Sequence, residues 1–170
     1  QRHIRYKDAL DLLQILNTEY NIEGNPIPKF IDLVLEIKPT QVTLVPDSED
    51  AITSNAGWNT VKHQKYLKKI IDQFKANGIR TSIFVDPEIT MVQGALETGT
   101  DRIELYTESY AKNYHIDKSS AILPYVDAAK KANELGIGVN AGHDLNLNNL
   151  AYFSQNIPDL LEVSIGHALI

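Results

Sequence analysis

Two Gly-His dipeptides stand where short apolar runs stop. Gly142-His143 closes Ile137-Gly138-Val139-Asn140-Ala141, and Gly166-His167 closes Leu161-Glu162-Val163-Ser164-Ile165. They lie 24 residues apart with one helical stretch between them, the length of a strand–helix–strand unit. Glycine lets backbone approach a ligand closely, and histidine is the side chain that moves protons near neutral pH. Two carboxylates join them. Glu23 ends the short run Tyr20-Asn21-Ile22, and Glu104 sits inside Ile103-Glu104-Leu105. Burial at a strand end would raise a carboxyl pKa and make it a usable base. For Glu23 an equal reading is an acid that favours the N-terminus of the helix after it. Glu104 points either inward or towards packing helices. An unpaired charge among helices is costly, so the inward, functional position is preferred. His143 has small neighbours, Ala141 and Gly142, which leave room for a ligand; the plainer reading is a loop histidine bonded to backbone.

These residues need a frame that brings strand ends together, and the chain supplies one by alternation. Helical periodicity covers Lys7 to Leu16, a second helix opens at Asn25-Pro26 and stops at Lys38-Pro39, and a third runs from Tyr66 through Phe74 to Asn77-Gly78. Between them lie Tyr20 to Glu23 and Gln41 to Val45 as strands, then a polar loop from Ser48 to Asn59. Ile79 to Val85 is a strand, with Asp86-Pro87 as helix cap and first-turn proline before a helix over Met91 to Thr98. Arg102 to Tyr106 is the next strand. A loop is expected from Thr107 to Lys118, then a helix from Ser119 or Ser120 through Leu135. Strand Ile137 to Asn140, a helix around Asn148 to Gln155 and strand Leu161 to Ile165 complete the series.

Six strands of buried, continuous apolar type alternating with helices predict a parallel sheet with helices outside. Polar groups collect at the strand-to-helix joints along the whole series, which favours a (β/α)8 TIM barrel over a doubly wound sheet with a single switch point. Gly166-His167 then follows the last strand, where backbone N–H groups of such barrels bind phosphate. Six strands do not close an eight-stranded barrel. The chain is therefore expected to be an incomplete piece covering roughly strands 3 to 8, a single barrel domain over 1–170 truncated at both ends.

Bulk composition excludes several function classes. The 170 residues carry a net charge of −6 and 43% hydrophobic content, which fits one core and argues against a nucleic-acid surface. Cysteine is absent, ruling out disulfides and thiolate metal sites. No run approaches membrane-spanning length. A soluble intracellular protein is the default, with no metal expected, since no closely spaced His/carboxylate set appears. His63 and His115 lie among polar residues and are expected on the surface.

An ordered set of short elements resembles the pyridoxine 5′-phosphate synthase family: Arg2-His3-Ile4, Asn21-Ile22-Glu23, Leu44-Val45-Pro46 followed by Thr53, Ile103 to Thr107, Asn140-Ala141-Gly142-His143 and Ile165-Gly166-His167-Ala168. The resemblance spans essentially the whole chain and implies the same barrel. It implies condensation of 1-deoxy-D-xylulose 5-phosphate with 3-amino-2-oxopropyl phosphate, in vitamin B6 biosynthesis, without cofactor or metal. By position it implies Glu23 as general base, His143 as proton donor and Glu104 as a carboxylate that stabilises the transition state. His3 and Thr53 match contacts to the deoxyxylulose phosphate, Gly166 and His167 contacts to the aminoketone phosphate. Asp144 stands where some members have a glycine whose N–H touches the aminoketone; an aspartate keeps that N–H. The family assembles as homo-oligomers, commonly octamers, and works in the cytoplasm. Its first-strand Asn and Asp-His group and its second-strand His and Arg are not in these residues, so the 170 residues alone are expected to be inactive.

Overall fold

A computed structural model describes residues 4–47, 56–166 and 168 of the chain. Six strands form one sheet: β1 (Asn21–Gly24), β2 (Gln41–Leu44), β3 (Arg80–Val85), β4 (Arg102–Tyr106), β5 (Gly138–Gly142) and β6 (Leu160–Ser164). They pair in sequence order, every pair parallel. A parallel pair cannot be joined by a hairpin, and the helices supply the returns: α2 (Pro28–Ile37), α3 (Gln64–Lys75), α4 (Ile89–Thr98), α5 (Glu108–Glu134) and α6 (Leu150–Asn156), with α1 (Tyr6–Leu13) before β1.

Side-chain alternation along the strands sorts the sheet into two chemical faces. Val42, Leu44, Ile83, Val85, Ile103, Leu105, Val139 and Ala141 pack with helix residues such as Val34, Leu67, Phe74 and Val92 in one apolar core. Most of the intervening positions are polar yet buried, among them Gln41, Thr43, Ser82, Glu104 and Asn140, while Phe84 and Tyr106 bring aromatic rings to that side. Those residues look into a concave face. The sheet curves enough that its first and last strands meet through side chains, Asn21 Nδ2 donating to Glu162 Oε1 at 3.2 Å and Ser164 Oγ to Glu23 Oε1 at 2.9 Å. The result is a cup formed by six consecutive strands of a (β/α)8 barrel.

The element order matches the sequence expectation, with two corrections. The segment expected as a loop from Thr107 to Lys118 is helical from Glu108, and α5 continues to Glu134 with one break at Asp117 (φ −153°, ψ 93°). Asp117 caps the second half of α5: Oδ1 accepts the N–H groups of Ser119 and Ser120, and Oδ2 accepts the Ser120 hydroxyl. The first half of α5 is held by aromatic rings instead of an aliphatic stripe. Tyr110 is fully buried against Tyr114, Tyr125 and Phe153, and its hydroxyl donates to the Asn149 carbonyl at 2.7 Å. The second correction concerns α4, whose N-cap is Glu88 and not Asp86. Asp86 instead accepts the Gly57 N–H at 3.1 Å, tying the segment after β2 to the end of β3. A Cβ on Gly57 would lie 2.3 Å from the Asp86 backbone nitrogen, so only glycine fits there.

Among the described residues no helix is long and apolar enough to cross a membrane. His115 is exposed as expected, whereas His63 is half-buried, its ring edge-on to Trp58 at 5.5 Å.

The Tyr125 hydroxyl joins α5 to β4. It donates to the Tyr106 carbonyl at 3.0 Å and accepts the Tyr110 N–H at 3.2 Å; burial pushes it up to about 12, so it stays protonated across the working range. Tyr125→Phe would strand two buried backbone groups, and urea unfolding is expected to show a loss of about 1–3 kcal/mol.

Candidate active site

Glu23, Glu104 and His143 come from three separate strands, β1, β4 and the end of β5, and all reach the C-terminal rim of the cup. That rim is where parallel strands present their loops and where barrel enzymes place chemistry.

Glu104 lies deepest, at 2% exposure. Burial first, then the neighbouring charges of Glu23 and Glu162, push its carboxyl well above the ordinary range, against a smaller pull from the Ser164 and Thr43 hydroxyls. Its Oε1 occupies the space above Gly142, where a Cβ would fall 2.1 Å away. Its Oε2 has no hydrogen-bond partner among the described residues. Glu23 is raised as well, by burial and by Glu162, with Ser164 and His143 acting in the opposite direction. The Glu23 side chain is exposed while protein crowds its carboxyl, and its rise is milder than that of Glu104.

His143 follows directly on β5 in a left-handed conformation (φ 85°), as does Asp144 (φ 59°). Two successive non-glycine residues in this region store strain of about 1–3 kcal/mol each, and neighbouring contacts hold them. The Thr107 N–H donates to the Gly142 carbonyl at 3.0 Å, and its hydroxyl donates to the same carbonyl at 2.8 Å and to that of His143. The His143 N–H reaches the Ser164 carbonyl at 3.4 Å. The imidazole stands edge-on to Tyr106, centroids 5.0 Å apart. Its Nδ1 lies 3.0 Å from Asp144 Oδ2 without the alignment of a hydrogen bond. The Asp144 carbonyl accepts from the Asn149 amide at 3.2 Å, which fixes the loop after β5 onto the start of α6.

Of the remaining sequence-predicted residues, Asp144 is exposed at the rim and Gly166 is exposed with open space where a Cβ would be. His3, Thr53 and His167 lie outside the described residues. Among the described residues no group of three or more His, Asp or Glu could hold a metal ion.

Sequence reasoning passed over Glu162 and Ser164. Glu162 accepts hydrogen bonds from Asn21 at 3.2 Å, Gln41 at 3.1 Å, Arg102 at 3.2 Å and Asn140 at 3.2 Å, four strands converging on one carboxylate. Ser164 joins Glu23, through its hydroxyl, to His143, through its carbonyl. The signal was present: Glu162 and Ser164 are two apart in a strand, so alternation puts both on one face, and inwardness established for either holds for both.

Chemically, the rim offers two carboxyls in different environments beside an imidazole. Groups whose surroundings separate their pKa values can divide acid and base duties between them.

The profile of the family described as "Pyridoxal phosphate biosynthesis protein PdxJ" matches residues 1–170. The chain belongs to this family. It is 66% identical over 170 residues to the pyridoxine 5′-phosphate synthase of Christiangramia forsetii, covering 100% of the chain and 72% of that relative. The pyridoxine 5′-phosphate synthase of Flavobacterium johnsoniae is likewise 66% identical, with the same coverage. Membership places the chain among enzymes of vitamin B6 biosynthesis, as the short sequence elements implied. Among solved structures, phosphoribosylanthranilate isomerase from Thermotoga maritima superposes with a TM-score of 0.58 at 16% identity, over 95% of this chain and 68% of that one. Identity that low speaks to the barrel fold alone.

This geometry has two measurable outcomes. Gly142→Ala drives a methyl group into the confined Glu104 carboxyl, and a thermal melt should show destabilisation of about 1–3 kcal/mol. Glu104 also ties stability to pH. With its folded pKa above the unfolded value near 4.5, the folded state holds the proton longer, so stability falls as pH rises from there through the folded pKa. Glu104→Gln should therefore be more stable than the parent at pH 7 to 8, with the difference shrinking towards pH 4.5, as measured by denaturant unfolding across that range.

Proposed function

We propose that the chain forms one barrel domain of a pyridoxine 5′-phosphate synthase that condenses 1-deoxy-D-xylulose 5-phosphate with 3-amino-2-oxopropyl phosphate, releasing inorganic phosphate and water. The observation that carries this reading is the convergence of Glu23, Glu104 and His143 on one rim, from three strands of a chain in this family.

The reaction asks for proton transfers more than for any single nucleophile. The substrate amine and ketone join as a Schiff-base-type adduct; a C–H proton must then leave, an oxygen or phosphate leaving group must depart, and the ring must close. Glu23, raised less than Glu104, suits the base that removes the proton. Glu104, whose carboxyl burial biases towards the protonated form, suits a hydrogen-bonding group for charge developing on the adduct. His143, held at the rim by Thr107 and Ser164, suits the proton donor to the leaving group. The backbone N–H of Asp144 would contact the aminoketone substrate, Gly166 and His167 would take its phosphate, and His3 and Thr53 would take the deoxyxylulose phosphate. No organic cofactor or metal enters this scheme. A cytoplasmic homo-oligomer, an octamer by family resemblance, completes the proposal.

The intact protein should release phosphate only when both substrates are supplied, a result read by phosphate assay. His143→Asn should lower kcat by about 10²–10⁴-fold with KM for both substrates largely kept. Full turnover by that variant would remove His143 from the proton-donor role.

A further inference from the structure

The polar floor of the cup is organised around a group that the proposed proton transfers leave unused. Glu162 is the acceptor for donors from β1, β2, β4 and β5, and its side chain is 27% exposed. One of those donors has a second task. Asn21 Nδ2 bonds Glu162 Oε1 and Glu23 Oε1, both at 3.2 Å, while Asn21 Oδ1 accepts the Thr43 hydroxyl at 3.2 Å. The Asn21 amide is therefore fixed on both sides, and one end of Glu23 is held by it. The other hold on Glu23 Oε1 is Ser164 Oγ at 2.9 Å, two residues along β6 from Glu162.

We propose that Glu162 is a positioning residue: from the floor of the cup it fixes Asn21, and through Asn21 the placement of the Glu23 carboxyl that faces a bound substrate. The inference rests on the reading of Glu23 as a working carboxyl. Charge supports the geometry. Glu162 raises both Glu23 and Glu104. The other charged groups around the floor are Arg102, 3.2 Å from Glu162, and Arg80, which is engaged by Glu19, with Asp101 behind them; His143 bears on Glu23 from the rim. Glu162 also satisfies donors from four strands, so the test must separate its effect on Glu23 from its contribution to the fold.

The test uses Glu162→Gln and Asn21→Ala in the intact protein, with steady-state kinetics in both substrates, a pH profile of kcat and a ¹³C carboxyl NMR titration. Both variants should lose about tenfold to a hundredfold in kcat, the scale of a misplaced reacting group, with KM changed less than about threefold. Glu162→Gln alone removes a negative charge, so the acidic limb of its kcat profile and the titrations of Glu23 and Glu104 should move to lower pH, while Asn21→Ala, which removes a donor to the Glu23 carboxyl, should not move the limb down. Kinetics of Glu162→Gln matching the parent, or unmoved carboxyl titrations, would overturn the inference with the proposed function intact. Absence of turnover in the parent would overturn the function instead, and the titration would still decide the role of Glu162. Should Glu162→Gln fail to fold, Asn21→Ala carries the test, and parental kcat there sinks the proposal.

Discussion

The Arg102–Glu162 contact is the interaction on which the inside of this molecule depends. A parallel sheet covered by helices has one apolar face, and its concave face must satisfy polar groups largely without bulk water. Here Glu23, Glu104 and Glu162 share that space, and the cation hydrogen-bonded to one of them among the described residues is Arg102, at 3.2 Å from Glu162. Gln41, Asn140 and Asn21 complete the shell around the same carboxylate. Strand order, curvature and register all serve this convergence, because donors from four strands must meet within hydrogen-bond reach. Such a network specifies one arrangement of the sheet only when every member is satisfied.

The rim is built by a different device. Thr107, just past β4, holds two successive carbonyls at the end of β5 through its N–H and its hydroxyl. That latch explains why Leu105-Tyr106-Thr107 accompanies Asn140-Ala141-Gly142-His143 in the sequence: the first segment carries the clamp and the ring against which the second segment's imidazole stands. Glycine at 142 has a separate cause. The Glu104 carboxyl needs the volume that a side chain there would take.

Much of this was legible in the sequence. Strand positions followed from β-branched runs between Gly and Pro joints, and the inward direction of Glu104 followed from the cost of a charge among helices. The first half of α5 was not legible, because its stability comes from Tyr110 meeting Tyr125 and Phe153, partners 15 and 43 residues away. Glu162 was passed over for a related reason. One acidic residue in a strand looks like any solvated position until four donors from other strands are seen to meet it. Asp86 illustrates the reverse error, a local capping pattern overridden by a distant backbone N–H at Gly57.

Raised carboxyls give the cup a further property. Glu23 and Glu104 hold their protons more tightly than free glutamates do, and Glu23 is the less extreme of the two. An anion entering such a space adds negative charge beside them and tightens that hold further. Under the proposed function, a phosphorylated substrate would therefore push Glu23 and Glu104 further towards their protonated forms.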